Sequence, residues 1–218
     1  IYSFENLRYI LLVLSILAMF AGTLMAIFEK DVKKLLAHSS VAQIGYIVLG
    51  ISLATEIGIA SGFIHLINHA LIKAGLFMSV VAMSFYTLKR IDINSINGIG
   101  KKIPITFFSF IICSLSLAGL PLTVGFISKL YLIKAAYISE GIWLVFLILF
   151  SSILSLIYIW KLIEGLWYDD KNTKKLRIKE LPEVYIPLLI ITFFNLYFGI
   201  DADLIIENSF FASEFLIS

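Results

Sequence analysis

Charge is scarce in this chain. Of 218 residues, 15% are Asp, Glu, Lys or Arg and 60% are hydrophobic, with a mean hydropathy of +0.98. A soluble domain carries about 25% charged and about 45–50% apolar residues. A soluble enzyme, a nucleic-acid binder and a disordered linker are thereby excluded. There is one cysteine, Cys113, inside an apolar run. No intrachain disulfide can form, and it reads as a small core residue. Segments of about 10 residues alternating apolar and polar are lacking, so a β-barrel is excluded too. There is no low-complexity stretch, no soluble domain and no cofactor motif, so no cofactor is expected and any redox chemistry would lie in other chains. The chain begins at Ile1, with no Met and no basic stretch leading to a cleavage site. It reads as having no signal peptide and as a piece of something longer.

Long apolar runs are what the sequence has instead. Six of them predict helices at about 8–28, 32–53, 57–87, 103–137, 141–168 and 184–200. The ~30 Å hydrocarbon layer needs about 20 helical residues. The fold class is therefore all-α, a polytopic membrane protein in one transmembrane domain over 1–218. The fourth run contains Gly119-Leu120-Pro121 near its middle. Proline lacks the N–H of the helix ladder, and its ring clashes with the preceding turn. Two half-helices, about 103–118 and 122–137, are expected there.

The few charges are sorted by side. Three basic residues lie between spans one and two, four between three and four, and five at 171–179, whereas the opposite side has Arg8 alone. The positive-inside rule puts the three basic loops in the cytoplasm and both chain ends outside. The stretch after 200 carries Asp201, Asp203, Glu207 and Glu214 with no Lys or Arg, and reads as an acidic outer tail. Trp143 at one end of span five, and Trp160, Trp167 and Tyr168 toward the other, fit interfacial belts.

Ionisable groups inside the bilayer cost about 2.5–3.5 kcal/mol each on the insertion scale, so each needs a reason. Span three holds His65, His69 and Lys73 at i, i+4, i+8. They share a helix face with a drift of about 40° per step and climb it over roughly 12 Å. Lys73 is near the centre of the span, too deep to snorkel easily. His changes charge near neutral pH, and a desolvated Lys can release its proton. The row suits a proton path. Hydrogen-bonding glue between helices and a His pair on a metal are the alternatives, although no carboxylate or Cys stands nearby in sequence to complete a metal site. Lys129 lies eight residues beyond Pro121, and Gly125 leaves room for close approach. Broken helices line ion sites in transporters, while the plainer reading is a proline kink with a snorkelling Lys. Lys134 reads as snorkelling outward, and Lys161 as pairing with Glu164 at i, i+3. Lys33 and Lys34, at the mouth of span two, are topology signals or cytoplasmic proton contacts.

Three motifs carry a family resemblance. Asp31-Val32-Lys33-Lys34-Leu35-Leu36-Ala37-His38-Ser39-Ser40 resembles a D-x-K-[KR]-x-L-A-[YH]-S-[ST] signature. His65-Leu66-Ile67-Asn68-His69-Ala70-Leu71-Ile72-Lys73 is similar to H-x-x-[NT]-H-x-x-x-K. Gly119-Leu120-Pro121-Leu122-Thr123-Val124-Gly125-Phe126-Ile127-Ser128-Lys129 resembles G-[LI]-P-x-x-x-G-F-x-x-K. The family is that of the antiporter-like membrane subunits: Mrp-type cation/proton antiporter subunits and the proton-pumping subunits of respiratory complex I and membrane-bound hydrogenases. The resemblance covers about residues 8–170. It implies a fourteen-helix fold with two inverted five-helix repeats. This chain would be the second repeat, about 8–168, plus the final helix at 184–200, that is, the C-terminal half. It implies Lys73 as the central proton-carrying lysine, His65 and His69 as relay groups and Lys129 as the broken-helix lysine. Lys33 matches a cytoplasmic-end lysine.

The resemblance further implies a transport subunit rather than an enzyme, multi-pass in the inner (plasma) membrane. Its partners would be other membrane subunits, the lipid bilayer, protons and a monovalent cation. The two-His motif and Lys129 favour the D-type subunit of an Mrp antiporter or its hydrogenase relative. The distal complex I subunit is the runner-up, with a long lateral helix for which this chain has no room after 200. Three functions stay open: a proton-conducting antiporter subunit, a redox-driven pump subunit, and a half-subunit kept for assembly.

Overall fold

The computed structural model describes residues 2–87, 92–93, 97–168 and 180–217. Among them run α1 (Tyr2–Phe28), α2 (Val32–Ser52), α3 (Glu56–Thr87), α4 (Pro104–Ala118), α5 (Val124–Glu140), α6 (Ile142–Trp167), α7 (Pro182–Ile200) and α8 (Asp203–Ile217). Five of these are long and apolar enough to cross a membrane. The basic residues at 89–90 and 171–179 lie outside the described residues.

Local chemistry fixes the ends. Asp31 caps α2, its carboxylate accepting from the N–H groups of Lys33 (3.0 Å) and Lys34 (3.2 Å). Pro104 sits in the first turn of α4, where its missing N–H costs nothing. Glu180, just before α7, accepts from the N–H groups of Ile105 and Thr106, both at 2.9 Å, and from the Thr106 hydroxyl at 2.7 Å. One carboxylate thus serves the orphan donors at the start of α4 and ties α7 to it.

The helices pack around α3, the longest, which meets α2, α4, α5, α7 and α8. Large apolar side chains such as Val13, Leu17, Phe146, Ile153 and Phe193 point outward, whereas Ser39, Gln43, Ser61, Asn68 and Ser128 are buried. This inside-out distribution is that of a membrane protein, whose solvent is hydrocarbon. Trp143, Trp160, Trp167 and Tyr168 are all exposed on α6 and its end.

The fourth run is interrupted as its sequence demands. α4 ends at Ala118, and Gly119 adopts the left-handed region at φ 91°. Leu122 follows at φ 69°, and α5 begins at Val124. The second half-helix starts two residues later than expected and runs to Glu140.

The stretch after 200 differs from the expected tail. It forms α8, which buries Ile205, Ser209 and Ser213 and exposes Asp203, Glu207 and Glu214. The buried residues recur at i, i+4 and i+8, a helical stripe of one isoleucine and two serines that a charge count does not reveal. Leu204, Ile205 and Asn208 line one cavity with Ile67, Ala70 and Leu71 of α3, and Phe210 packs edge-on against Tyr131 of α5 at 6.0 Å. On α3 and α5, His65 faces Ser128 and Asn68 faces Val124. α8 therefore runs back along α3 toward its N-terminal half. A Cβ on Gly199 would meet the Leu122 carbonyl oxygen and the Thr123 backbone. The gap between α7 and α8 thus lies beside the gap between α4 and α5.

Candidate proton path in the helix bundle

α3 presents His65, His69 and Lys73 to the interior, as the spacing requires. His65 and Lys73 are buried, and His69 is half-buried. The two imidazoles lie nearly parallel, 6.4 Å between centroids with an interplanar angle of 7°. Both ring nitrogens of His65 are engaged: Nδ1 lies 2.9 Å from Ser128 Oγ, and Nε2 lies 3.0 Å from Gln43 Oε1. An amide oxygen only accepts, so Nε2 carries a proton and donates to Gln43. His69 Nδ1 is buried without a hydrogen-bond partner among the described residues. Such an atom marks a place for water.

Lys73 Nζ donates to the Leu36 carbonyl at 2.7 Å and to Ser39 Oγ at 2.6 Å. Lys129 Nζ donates to the carbonyls of Leu117 (3.1 Å) and Ala118 (2.7 Å). Those carbonyls end α4 and have no partner of their own in the helix, so Lys129 caps the break, and its charge suits the negative end of the helix dipole. Asn68 Nδ2 donates to the Val124 carbonyl at 2.8 Å, and Ser116 Oγ accepts from Gly125 N at 3.2 Å. The Lys129 ammonium also stands 5.3 Å from the centroid of Tyr46, whose ring meets His65 edge-on at 5.4 Å. His65, His69, Lys73 and Lys129 are thereby brought to one interior. Pro121 is exposed within the gap, and Gly125 is buried against Ser116.

Lys33 is not part of this cluster. It is exposed on the first turn of α2. Near it, His38 Nε2 and Glu29 Oε2 are 3.7 Å apart in a cleft of about 610 Å³. The N–H groups of Asp31 and Lys30 donate to Glu29 and hold its carboxyl below the usual range. Lys161 does not lean on Glu164 as its spacing suggested. It donates to the carbonyls of Ile27 (3.0 Å) and Glu29 (2.9 Å), capping the end of α1. Lone carbonyls of a helix end compete well for an ammonium. Lys134 is exposed, in agreement with a snorkelling role. Arg8 and Glu140 pair at the opposite end, joining α1 to α5.

Neither Lys73 nor Lys129 is in an ion pair among the described residues. An ammonium held by neutral oxygens alone can give up its proton without stranding a buried carboxylate. Sequence reasoning gave no role to the neutral groups that complete the interior, Ser39, Gln43, Tyr46, Asn68 and Ser128, although the motifs contain several of them. Their signal was a polar residue every three or four positions in otherwise apolar spans.

Residues 1–155 match the family model described as NADH:quinone oxidoreductase/Mrp antiporter, TM. The chain belongs to this family. It is 32% identical over 201 residues to NADH-quinone oxidoreductase subunit N of Desulforudis audaxviator, covering 86% of this chain and 40% of that one. It is 29% identical to the D-type subunit of the Na⁺/H⁺ antiporter of Alkalihalophilus pseudofirmus, covering 92% of this chain and 41% of the relative. Among solved structures it is similar to a chain of the membrane-bound sulfane sulfur reductase, an archaeal respiratory membrane complex. The TM-score is 0.89 at 30% identity, over 98% of this chain and 43% of that one. The chain thus spans about two fifths of the length of these relatives. As a member of the family it is a multi-pass membrane protein.

Proposed function

We propose that this chain is the second, proton-carrying half of a membrane subunit in a multisubunit monovalent cation/proton antiporter, with protons passing between Lys73 and Lys129. The observation that carries this is the presence of two buried lysines, each bonded, among the described residues, only to neutral oxygens. Between them stand His69, with an unpartnered nitrogen, and His65. A lysine kept for helix glue has no need of a partner set that tolerates both its charged and its neutral form. The bundle is then the second repeat, about 8–168, followed by a last span. It would sit in the inner (plasma) membrane with both chain ends outside, and Lys33 would serve the cytoplasmic side. Redox-driven pumping is the second reading, favoured by the likeness to the quinone oxidoreductase subunit. Both readings use the same lysines.

The test replaces Lys73 in the complete complex. Lys73→Met removes the charge at similar volume, and Lys73→Arg keeps a charge that does not leave, because guanidinium stays protonated. Both variants should abolish ΔpH-driven cation flux in vesicles with equal amounts of assembled complex. Wild-type flux in Lys73→Met would overturn the reading. Loss of electron-transfer-driven proton pumping, with no cation exchange in the wild type, would select the redox reading.

A further inference from the structure

A second row of exchangeable groups, on α6 and α2 rather than α3, starts at Lys73 and reaches Tyr46, over whose ring the Lys129 ammonium stands. Ser151, Ser155 and Tyr158 stand at i, i+4 and i+7, one helix face. All three are buried. They look toward α2, where Ser39 and Tyr46 are seven residues apart and equally buried. At one end, Lys73 Nζ donates to Ser39 Oγ at 2.6 Å, and Ser39 and Ser155 both lie beside the Tyr158 hydroxyl. At the other end, Tyr46 Oη is 3.3 Å from Ser152 Oγ, with Ser151 also beside it. The Lys129 ammonium then lies 5.3 Å from the centroid of the Tyr46 ring.

The row is polar yet incomplete. The hydroxyls of Tyr158 and Ser151 are buried without a hydrogen-bond partner among the described residues. Leaving such groups unpaired costs about 1–3 kcal/mol apiece. Buried water, which makes about three hydrogen bonds in a site of this kind, removes the cost. Helix glue alone does not call for unpaired hydroxyls in a row that begins at one lysine and ends at a tyrosine whose ring faces another.

We propose that this face of α6 is a second proton path between Lys73 and Lys129, through Ser39, Tyr158, Ser155 and Tyr46 with water in the gaps, parallel to the histidine row. It rests on the reading of both lysines as proton carriers. The Lys73 ammonium gives its proton to Ser39 or an adjoining water and is left a neutral amine. Each hydroxyl takes up one proton and passes on its own, so the row gains no charge. The last proton lands on neutral Lys129. Ser39 Oγ donates to the Leu36 carbonyl at 2.8 Å and Ser155 Oγ to the Ser152 carbonyl at 2.6 Å. Both hydroxyls must therefore rotate to conduct, and they return to these acceptors at rest.

The experiment measures ΔpH-driven flux in vesicles holding the complete complex, at equal assembly. Tyr158→Phe keeps the ring and removes the hydroxyl. It should lose part of the flux, as should His69→Leu, and the double variant should fall to the level of Lys73→Met. In the His69→Leu background, Ser155→Thr should retain flux where the isosteric Ser155→Val loses it, a contrast that packing does not produce. Wild-type behaviour of Tyr158→Phe in both backgrounds, or equal flux in the Thr and Val variants, overturns the second path and leaves the lysine reading standing. Wild-type flux in Lys73→Met fells both.

Discussion

A Cβ on Gly125 would overlap the carbonyl oxygen of Ser116, across the gap between the two half-helices. The start of α5 therefore touches the end of α4 backbone to backbone, and only glycine permits it. On that contact depends the reach of Lys129, one turn further on, back to the carbonyls of Leu117 and Ala118. Gly125→Ala should cost about 1–3 kcal/mol, the scale of overpacking a filled site. It should appear as a lower thermal midpoint of the complex in detergent. Unchanged stability would mean that the two half-helices are not held in this contact. Flux in Gly125→Ala should fall as well, since the lysine loses its position before it loses its chemistry.

At the scale of helices, the interruptions were legible unequally. Gly119-Leu120-Pro121 announces itself because proline cannot continue a ladder. The gap at Asp201-Ala202 has no such residue, and the acidic residues in and after it, Asp201, Asp203, Glu207 and Glu214, resemble a solvated tail. Two of the three residues in the buried stripe of α8, Ser209 and Ser213, are ones that a hydropathy scan passes over. Glu180 illustrates a further limit. Its role is to cap α4, 75 residues away in sequence from Ile105, and no local pattern signals a cap supplied from another element. Glu180→Ala should cost about 0.5–2 kcal/mol, as other lost caps do. It should speed hydrogen exchange at the amides of Ile105 and Thr106. Glu180→Gln, which can still accept, should recover most of the protection, and equal exchange in both variants would contradict the cap.

For the whole molecule, the spans were legible in the sequence because bilayer physics acts on single residues: length and apolar composition suffice. The ionisable residues were found for the same reason, since a lysine at mid-span is expensive wherever its neighbours are. Their partners were not, because Gln43, Ser128 and the Leu36 carbonyl are chosen by packing and not by spacing. Orientation gives a prediction at this scale. Arg8 and Glu140 meet at one end of the bundle, and Glu29 and Lys161 at the other. With the basic loops in the cytoplasm, a tag at Ser218 should be labelled in intact cells by a reagent that does not cross the membrane. Labelling only after permeabilisation would invert the bundle.

The neighbouring gaps at Gly119–Thr123 and Asp201–Ala202 also have a mechanical meaning. An unbroken helix resists bending because each turn is strapped to the next by hydrogen bonds. Here two adjacent spans lack those straps at one depth, so they share a hinge line. Below it, α4 and α7 are tied together at their shared start by the Glu180 carboxylate. Above it, α5 and α8 meet through Tyr131 and Phe210 and pack together along α3. A tilt of a few degrees would lengthen the reach of Lys129 without breaking a single bond within a helix.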